Sequence, residues 1–216
     1  MSAEVFRLFV FTRHAESTAN TAHVLSSDPA RPVALTERGR AQARALGAQL
    51  ANVRIDLAVS TRFLRTRETI GIALHGRGVP VLIEPGFDEL QVGDLDGAPM
   101  EAYRSWKHRH ALGDRLPHGE SPDDAFRRYA NALRRLLART ETVTLVVLHE
   151  FALRNIALAV AADGSPLPDE AVGNAVPFLF DEHAAGRAAA SLDVMALSDQ
   201  PQPGPPPPGR AGEVAD

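Results

Sequence analysis

Two runs constrain the fold of this chain more than anything else in it. "VFRLFVF", from Val5 to Phe11, and "TVTLVVL", from Thr142 to Leu148, are dominated by apolar, aromatic and β-branched residues. A strand with one wet face alternates apolar and polar positions. A run that barely alternates needs cover on both sides, which is the condition of a buried parallel sheet. Two shorter runs, "IDLAVS" and "VPVLIE", also read as strands. Between the strands lie helical segments: "LTERGRAQARALGAQL", "LRTRETIGIAL", "SPDDAFRRYANALRRLLART" and "FALRNIALAVAA". Strands that alternate with helices predict an α/β fold, a three-layer α/β/α sandwich around a mostly parallel sheet.

Local signals set the expected boundaries. Thr36 reads as the cap of the first long helix, with Ala41, Ala45, Leu46 and Leu50 as its apolar face. Ser121, Pro122 and two aspartates predict a capped start for a later helix. "FALRNIALAVAA" is expected to end near Asp163-Gly164, and "PFLFDEH" with "ASLDVMAL" reads as a closing hairpin or edge pair. One edge strand is expected to be antiparallel. From Asp199 the composition turns to "DQPQPGPPPPGRAGEVAD", too poor in apolar residues to order itself. The expected division is a catalytic domain over 1–198 and a Pro-rich disordered tail over 199–216.

Composition serves mainly to exclude. The absence of cysteine removes disulfides, thiolate metal sites and cysteine nucleophiles. A net charge of -4 argues against nucleic acid or an anionic membrane as partner. The most apolar later stretch carries His149, Glu150 and Arg154, which makes it a poor membrane span. The N-terminus lacks a signal-peptide pattern, so a cytoplasmic protein is expected. Of 23 basic residues only Lys107 is lysine. Arginine is background here, and a functional arginine must be argued from its position.

Position singles out a few residues. The first strand runs into Arg13 and His14, and "TVTLVVL" runs into His149. Open α/β sheets bind ligands at the carboxyl ends of their strands, so parallel neighbours would bring both histidines together. "IDLAVS" ends at Ser60, with Arg65 early in the next helix, and Glu89 lies in the acidic loop "FDELQVGDLDG". Two histidines, two arginines and a carboxylate suit a phosphoryl group. Arginine forks match its oxygens bidentately. A neutral histidine attacks phosphorus if its other ring nitrogen is held as a donor. A second histidine steadies the developing charge, and a carboxylic acid protonates the leaving oxygen. No metal and no cofactor is required. "HEFAL" does not continue to H-E-x-x-H, so zinc is not expected.

The motifs carrying these residues resemble those of the histidine phosphatase superfamily, which includes the cofactor-dependent phosphoglycerate mutases. "RHAES" followed by Asn20 resembles its R-H-G motif, and "LTERGRAQA" its L-T-x-x-G-x-x-Q-A. "STRFLRTRET", "ELQVGDLDG", "GES" and "VVLHE" follow in the family's order. The resemblance implies that His14 becomes phosphohistidine, that Arg13, Arg65 and His149 form the phosphate pocket, and that Glu89 donates the proton. It implies Asn20 as a phosphate or substrate contact. Ala15 and Glu150 stand where the family has glycine, and Thr61-Arg62 where it often has Ser-Pro. Glu150 is expected to repel the phosphate or to hold His149 protonated.

The remaining histidines read more blandly. His23, His75 and His183 carry no motif. His108, His110 and His118, with Arg104, Lys107, Arg109 and Arg115, read as a solvated face, against the alternative of a basic lid for an anionic substrate. The expected function is hydrolysis of a small phosphomonoester through phosphohistidine, with no oligomeric state legible. Two alternatives stay open: mutase-type phosphoryl transfer, and an impaired member that only binds a phosphorylated ligand. Mutases exclude water from the phosphoenzyme. The segment from Glu89 to His149 is short for that task, and Ala19 stands where mutases tend to carry tryptophan.

Overall fold

The computed structural model describes residues 6–161 and 172–197. Five strands form one sheet: β1 (Leu8–Arg13), β2 (Leu57–Ser60), β3 (Val81–Ile83), β4 (Val143–Leu148) and β5 (Pro177–Asp181). Their order is β3-β2-β4-β1-β5. All neighbours are parallel except β1 and β5, which run antiparallel. The two long apolar runs, β1 and β4, lie side by side near the middle of the sheet.

Alternation along these strands feeds two cores. Phe9, Phe11, Leu57, Val59, Val146 and Leu148 face one of them. Val10, Ala58, Leu145 and Val147 face the other. The first core is closed by α5 (Pro122–Leu137), α6 (Glu150–Val160) and α7 (Glu182–Met195), and the second by α2 (Glu37–Gln49) and α3 (Leu64–Ala73). Two shorter helices, α1 (Thr18–Ala22) and α4 (Met100–Lys107), lie in the connections near the strand ends.

The expected caps form. The Thr36 side chain accepts from Gly39 N–H at the start of α2. Ser121 and Asp124 make a reciprocal capping box at the start of α5, with Pro122 in its first turn. Two expectations fail. "ASLDVMAL" is not a strand paired with β5 but the end of α7. Asp181 caps that helix through Ala184 N–H, and Ala184, Ala185, Ala188, Ala189 and Leu192 bury one face against α5 and α6. Small helix-forming alanines at that spacing favour a close-packed helix, and they begin before the expected strand. The face of α2 is also different: Ala41 and Ala45 are exposed, while Gly39, Ala43, Leu46 and Leu50 are buried. Gly39 sets this phase. A β-carbon there would lie 2.0 Å from the Glu16 carbonyl oxygen, so only glycine lets α2 sit against that backbone. The expected helix end at Asp163-Gly164 and the tail over 199–216 lie outside the described residues.

Candidate active site

Register brings the two histidines together. β1 and β4 pair Arg13 with Leu148, and His14 N–H donates to the Leu148 carbonyl at 2.9 Å. Both chains then leave the sheet at the same edge, with the rings of His14 and His149 5.4 Å apart. β2 ends beside them, Ser60 against Val147, and turns into α3 with Arg65 in its first turn. The segment "LTERGRAQA" braces the loop after His14. Thr36 N–H donates to the Glu16 carbonyl at 3.0 Å, and Gln42 Oε1 accepts from Glu16 N–H at 2.8 Å. Ala15 is fully buried, and its N–H donates to Thr69 Oγ1 at 3.1 Å. Among the described non-glycine residues only His23, His118 and Ala175 have positive φ, so Ala15 replaces a glycine here without strain.

Hydrogen bonds assign both rings. His14 Nδ1 lies 2.8 Å from the Ala15 carbonyl, which can only accept, so Nδ1 carries the proton. Nε2 is left with its lone pair and accepts from Arg65 Nε at 3.1 Å. His149 Nδ1 faces Arg65 Nη2 at 3.1 Å, a pure donor, so this nitrogen is the acceptor. The opposite nitrogen, Nε2, then donates to Thr61 Oγ1 at 2.9 Å. Thr61 in turn reaches Thr66 Oγ1 at 2.9 Å, and Thr66 donates to the Phe63 carbonyl at 2.8 Å. This run of hydroxyls ends on a carbonyl and so has one direction. Burial first, then the Arg65 guanidinium, hold both imidazoles well below their ordinary range. Both are neutral at pH 7.

Arg65 joins the histidines, and its Nη1 and Nη2 also bond Ser26 Oγ and the Ser26 carbonyl at 3.1 and 2.9 Å. Burial beside Arg13 brings its guanidinium down to about 10, against the pull of Glu89. Arg13 donates to the Val172 carbonyl at 3.0 Å and pairs with Glu150 at 2.9 Å, yet its buried Nε has no partner among the described residues. Glu89 Oε2 lies 3.8 Å from His149 Nδ1, and Glu89 Oε1 accepts from Leu90 N–H at 3.0 Å. Burial pushes the Glu89 carboxyl up and the neighbouring Glu150 adds to this, while Arg65 and the Leu90 N–H oppose it. Asn20 Oδ1 accepts from Ser17 N–H at 2.9 Å. All of Arg13, His14, Asn20, Arg65 and Glu89 line one cavity of about 380 Å³. His149 stands behind Arg65 and is fully buried.

The expectation for Glu150 changes. Its carboxylate pairs with Arg13 and with Arg154 at 3.4 Å, while His149 is held by Thr61 and Arg65. It therefore competes for Arg13 and does not keep His149 protonated. Arg62 pairs with Asp88 at 2.6 Å. Residues the sequence reading missed support the site from behind. Arg128 donates to the Gly86 and Asp88 carbonyls at 3.1 and 3.0 Å and pairs with Glu120 at 2.5 Å. Tyr129 OH donates to the Asp88 carbonyl at 3.2 Å. Both clamp the loop that carries Glu89. Thr61 is legible in the sequence only as a departure from Ser-Pro, because its partner His149 is 88 positions away and no spacing rule links them.

Among the described residues no group of three or more His, Cys, Asp or Glu could hold a metal ion, and no helix is long and apolar enough to cross a membrane. Comparison with known proteins gives a consistent picture. A protein of Erwinia tasmaniensis named "Probable phosphoglycerate mutase GpmB" is 31% identical over 151 residues, 65% of this chain and 68% of that one. The adenosylcobalamin/alpha-ribazole phosphatase of Salmonella typhimurium is 34% identical over 99 residues, 46% of each chain, so this chain spans about half of that relative. The crystal structure of the alpha-ribazole phosphatase from Shigella flexneri shares the fold, with a TM-score of 0.68, 24% identity and coverage of 80% and 89%. Residues 9–175, which hold both histidines, Arg13, Arg65 and Glu89, match the model of the histidine phosphatase superfamily, branch 1, and the chain belongs to that superfamily.

Proposed function

We propose that this chain hydrolyses small phosphomonoesters through a phosphohistidine on His14. One observation carries the reading. His14 presents an unprotonated Nε2 beside Arg65, with its other nitrogen fixed as a donor to the Ala15 carbonyl. That is a nucleophile held ready. Arg13 Nε and the Arg65 fork would receive the phosphoryl oxygens, with Arg65 exchanging its bond to His14 for one to the substrate. Asn20, at the cavity wall, would contact the phosphate or the leaving group.

The Nε2 lone pair forms the N–P bond as the P–O bond breaks. The leaving oxygen takes that electron pair and a proton from Glu89, whose burial favours the protonated carboxyl. Water then attacks phosphorus and gives its proton to Glu89. The N–P electrons return to His14 and phosphate leaves. The relatives carry both mutase and phosphatase names, and the short segment between Glu89 and His149 supports hydrolysis.

The test is phosphate release from a phosphomonoester panel by wild type and His14→Ala. Wild type is expected to release phosphate and the variant to lose the activity. Isomerisation of 3-phosphoglycerate outpacing phosphate release would establish a mutase instead. Wild type no faster than the variant would leave a binding protein. An acid-labile, alkali-stable phosphoryl group trapped on His14 would identify the intermediate.

A further inference from the structure

The cavity extends well beyond the groups that would hold a phosphate. Its outer wall comes from one face of α4, with Met100, Tyr103, Arg104 and Lys107 at helical spacing, and from α6, with Phe151, Arg154 and Leu158. Tyr103 and Phe151 meet edge to face, 6.4 Å between ring centres. Three cations thus share this wall, separate from Arg13 and Arg65.

Their compensation is unequal. Arg104 has Glu101 at 3.5 Å, an exposed pair of little strength. Arg154 shares Glu150 with Arg13. Lys107 has no hydrogen bond or ion pair to any described residue, although it is half-buried. Its ammonium sits low of its ordinary range because of burial, then Arg154, then Arg104. Like charges gathered on a partly dry wall repel one another unless an anion joins them. Chain composition sharpens the point. Lys107 is the only lysine among 23 basic residues, so the usual arginine was not placed here. A lysine ammonium is a compact point charge on a flexible stem, suited to an anion whose distance and angle vary.

Resting on the phosphatase reading, we propose that the preferred substrates carry a second anionic group, carboxylate or phosphate, which Lys107, Arg104 and Arg154 bind while His14 attacks the first. The cations act at the far end of the leaving group. They discriminate between phosphomonoesters and do not touch the reacting atoms.

The experiment compares substrates that differ only at that end. 3-Phosphoglycerate and glycerol 1,3-bisphosphate are set against glycerol 3-phosphate, and 4-carboxyphenyl phosphate against phenyl phosphate for a longer reach. Wild type is expected to favour at least one charged member by about tenfold in kcat/KM. Which member wins distinguishes carboxylate from phosphate. Lys107→Gln is expected to bring that ratio to within twofold of one. A generally damaged variant would lower both members of a pair and keep the ratio, which would overturn the proposal, as would wild-type ratios near one.

A second measurement does not need turnover. Reductive ¹³C-methylation of the His14→Ala protein labels its single lysine and keeps the charge. The lysine signal is expected to shift on adding the charged member of a pair and to stay in place with the neutral one. Equal responses would refute anion selection. A selective shift without wild-type turnover would retain the anion subsite and refute the hydrolase reading.

Discussion

Replacing Thr61 with valine removes one hydroxyl and almost no volume. It deletes the acceptor of His149 Nε2–H, in a place where the imidazole is fully buried. A buried donor left without a partner costs about 1–3 kcal/mol. The ring can avoid this by moving its proton to Nδ1, but Nδ1 then meets Arg65 Nη2, a second donor, at 3.1 Å. The cost passes to Arg65, and Arg65 is shared with His14. The Thr61→Val protein is therefore expected to lose roughly 5- to 150-fold in kcat/KM, the rate equivalent of that energy. Its Tm should fall by up to about 12 °C, at about 2–4 °C per kcal/mol for a domain of this size. Thr61→Ser keeps the hydroxyl and should stay within about threefold of wild type. The assays are steady-state phosphate release and thermal unfolding of the three proteins side by side. A Thr61→Val protein with a lowered Tm but kcat/KM within twofold of wild type would refute the reasoning. The hydroxyl would then serve packing alone, and the tautomer of His149 would not matter to the chemistry.

Other consequences are as direct. Glu89→Gln should lower kcat by about 10²- to 10⁴-fold on alkyl phosphates and far less on 4-nitrophenyl phosphate, whose leaving group needs no proton. Since burial raises the Glu89 carboxyl, wild-type kcat/KM should fall as pH rises through its pKa, and the variant should lack that basic limb. Glu150→Gln frees Arg13 from its 2.9 Å partner, and KM should fall by about fivefold, equivalent to about 1 kcal/mol. An unchanged or higher KM would mean that Glu150 positions Arg13 usefully. Arg128→Met breaks the clamp on the Glu89 loop and leaves Glu120 unpaired, so Tm should drop by about 6–12 °C for about 3 kcal/mol. Finally, His14 and His149 have lowered pKa values in the fold, so below about 6.5 the unfolded chain binds more protons than the folded one. Their contribution to stability should be full above that pH and decline as pH falls below about 6.5 towards the lowered folded-state values. Glu89, which is raised, acts in the opposite sense above its ordinary value, and His14→Gln should remove part of the acid sensitivity.

The sequence by itself determined the sheet and the edge at which its two histidines meet. β1 and β4 are apolar on both faces, which forces burial between two helical layers, and each ends in the histidine that chain order places beside the ligand-binding edge. Arg65 and Glu89 were legible because each sits in an ordered motif. Capping signals at Thr36 and Ser121 were legible because a cap is a contact over three residues. Tertiary structure alone decided the rest. The phase of α2 follows from the docking of Gly39 on Glu16, and the packing of α7 on α5 and α6 is a contact between distant segments. The tautomer of His149, the capture of Arg13 by Glu150 and the convergence of Lys107 with Arg104 and Arg154 each depend on groups far apart in the chain. Periodicity and motif spacing report local geometry. Hydrogen bonds and charges act over a few ångströms, and only the folded chain says which distant residues share that distance.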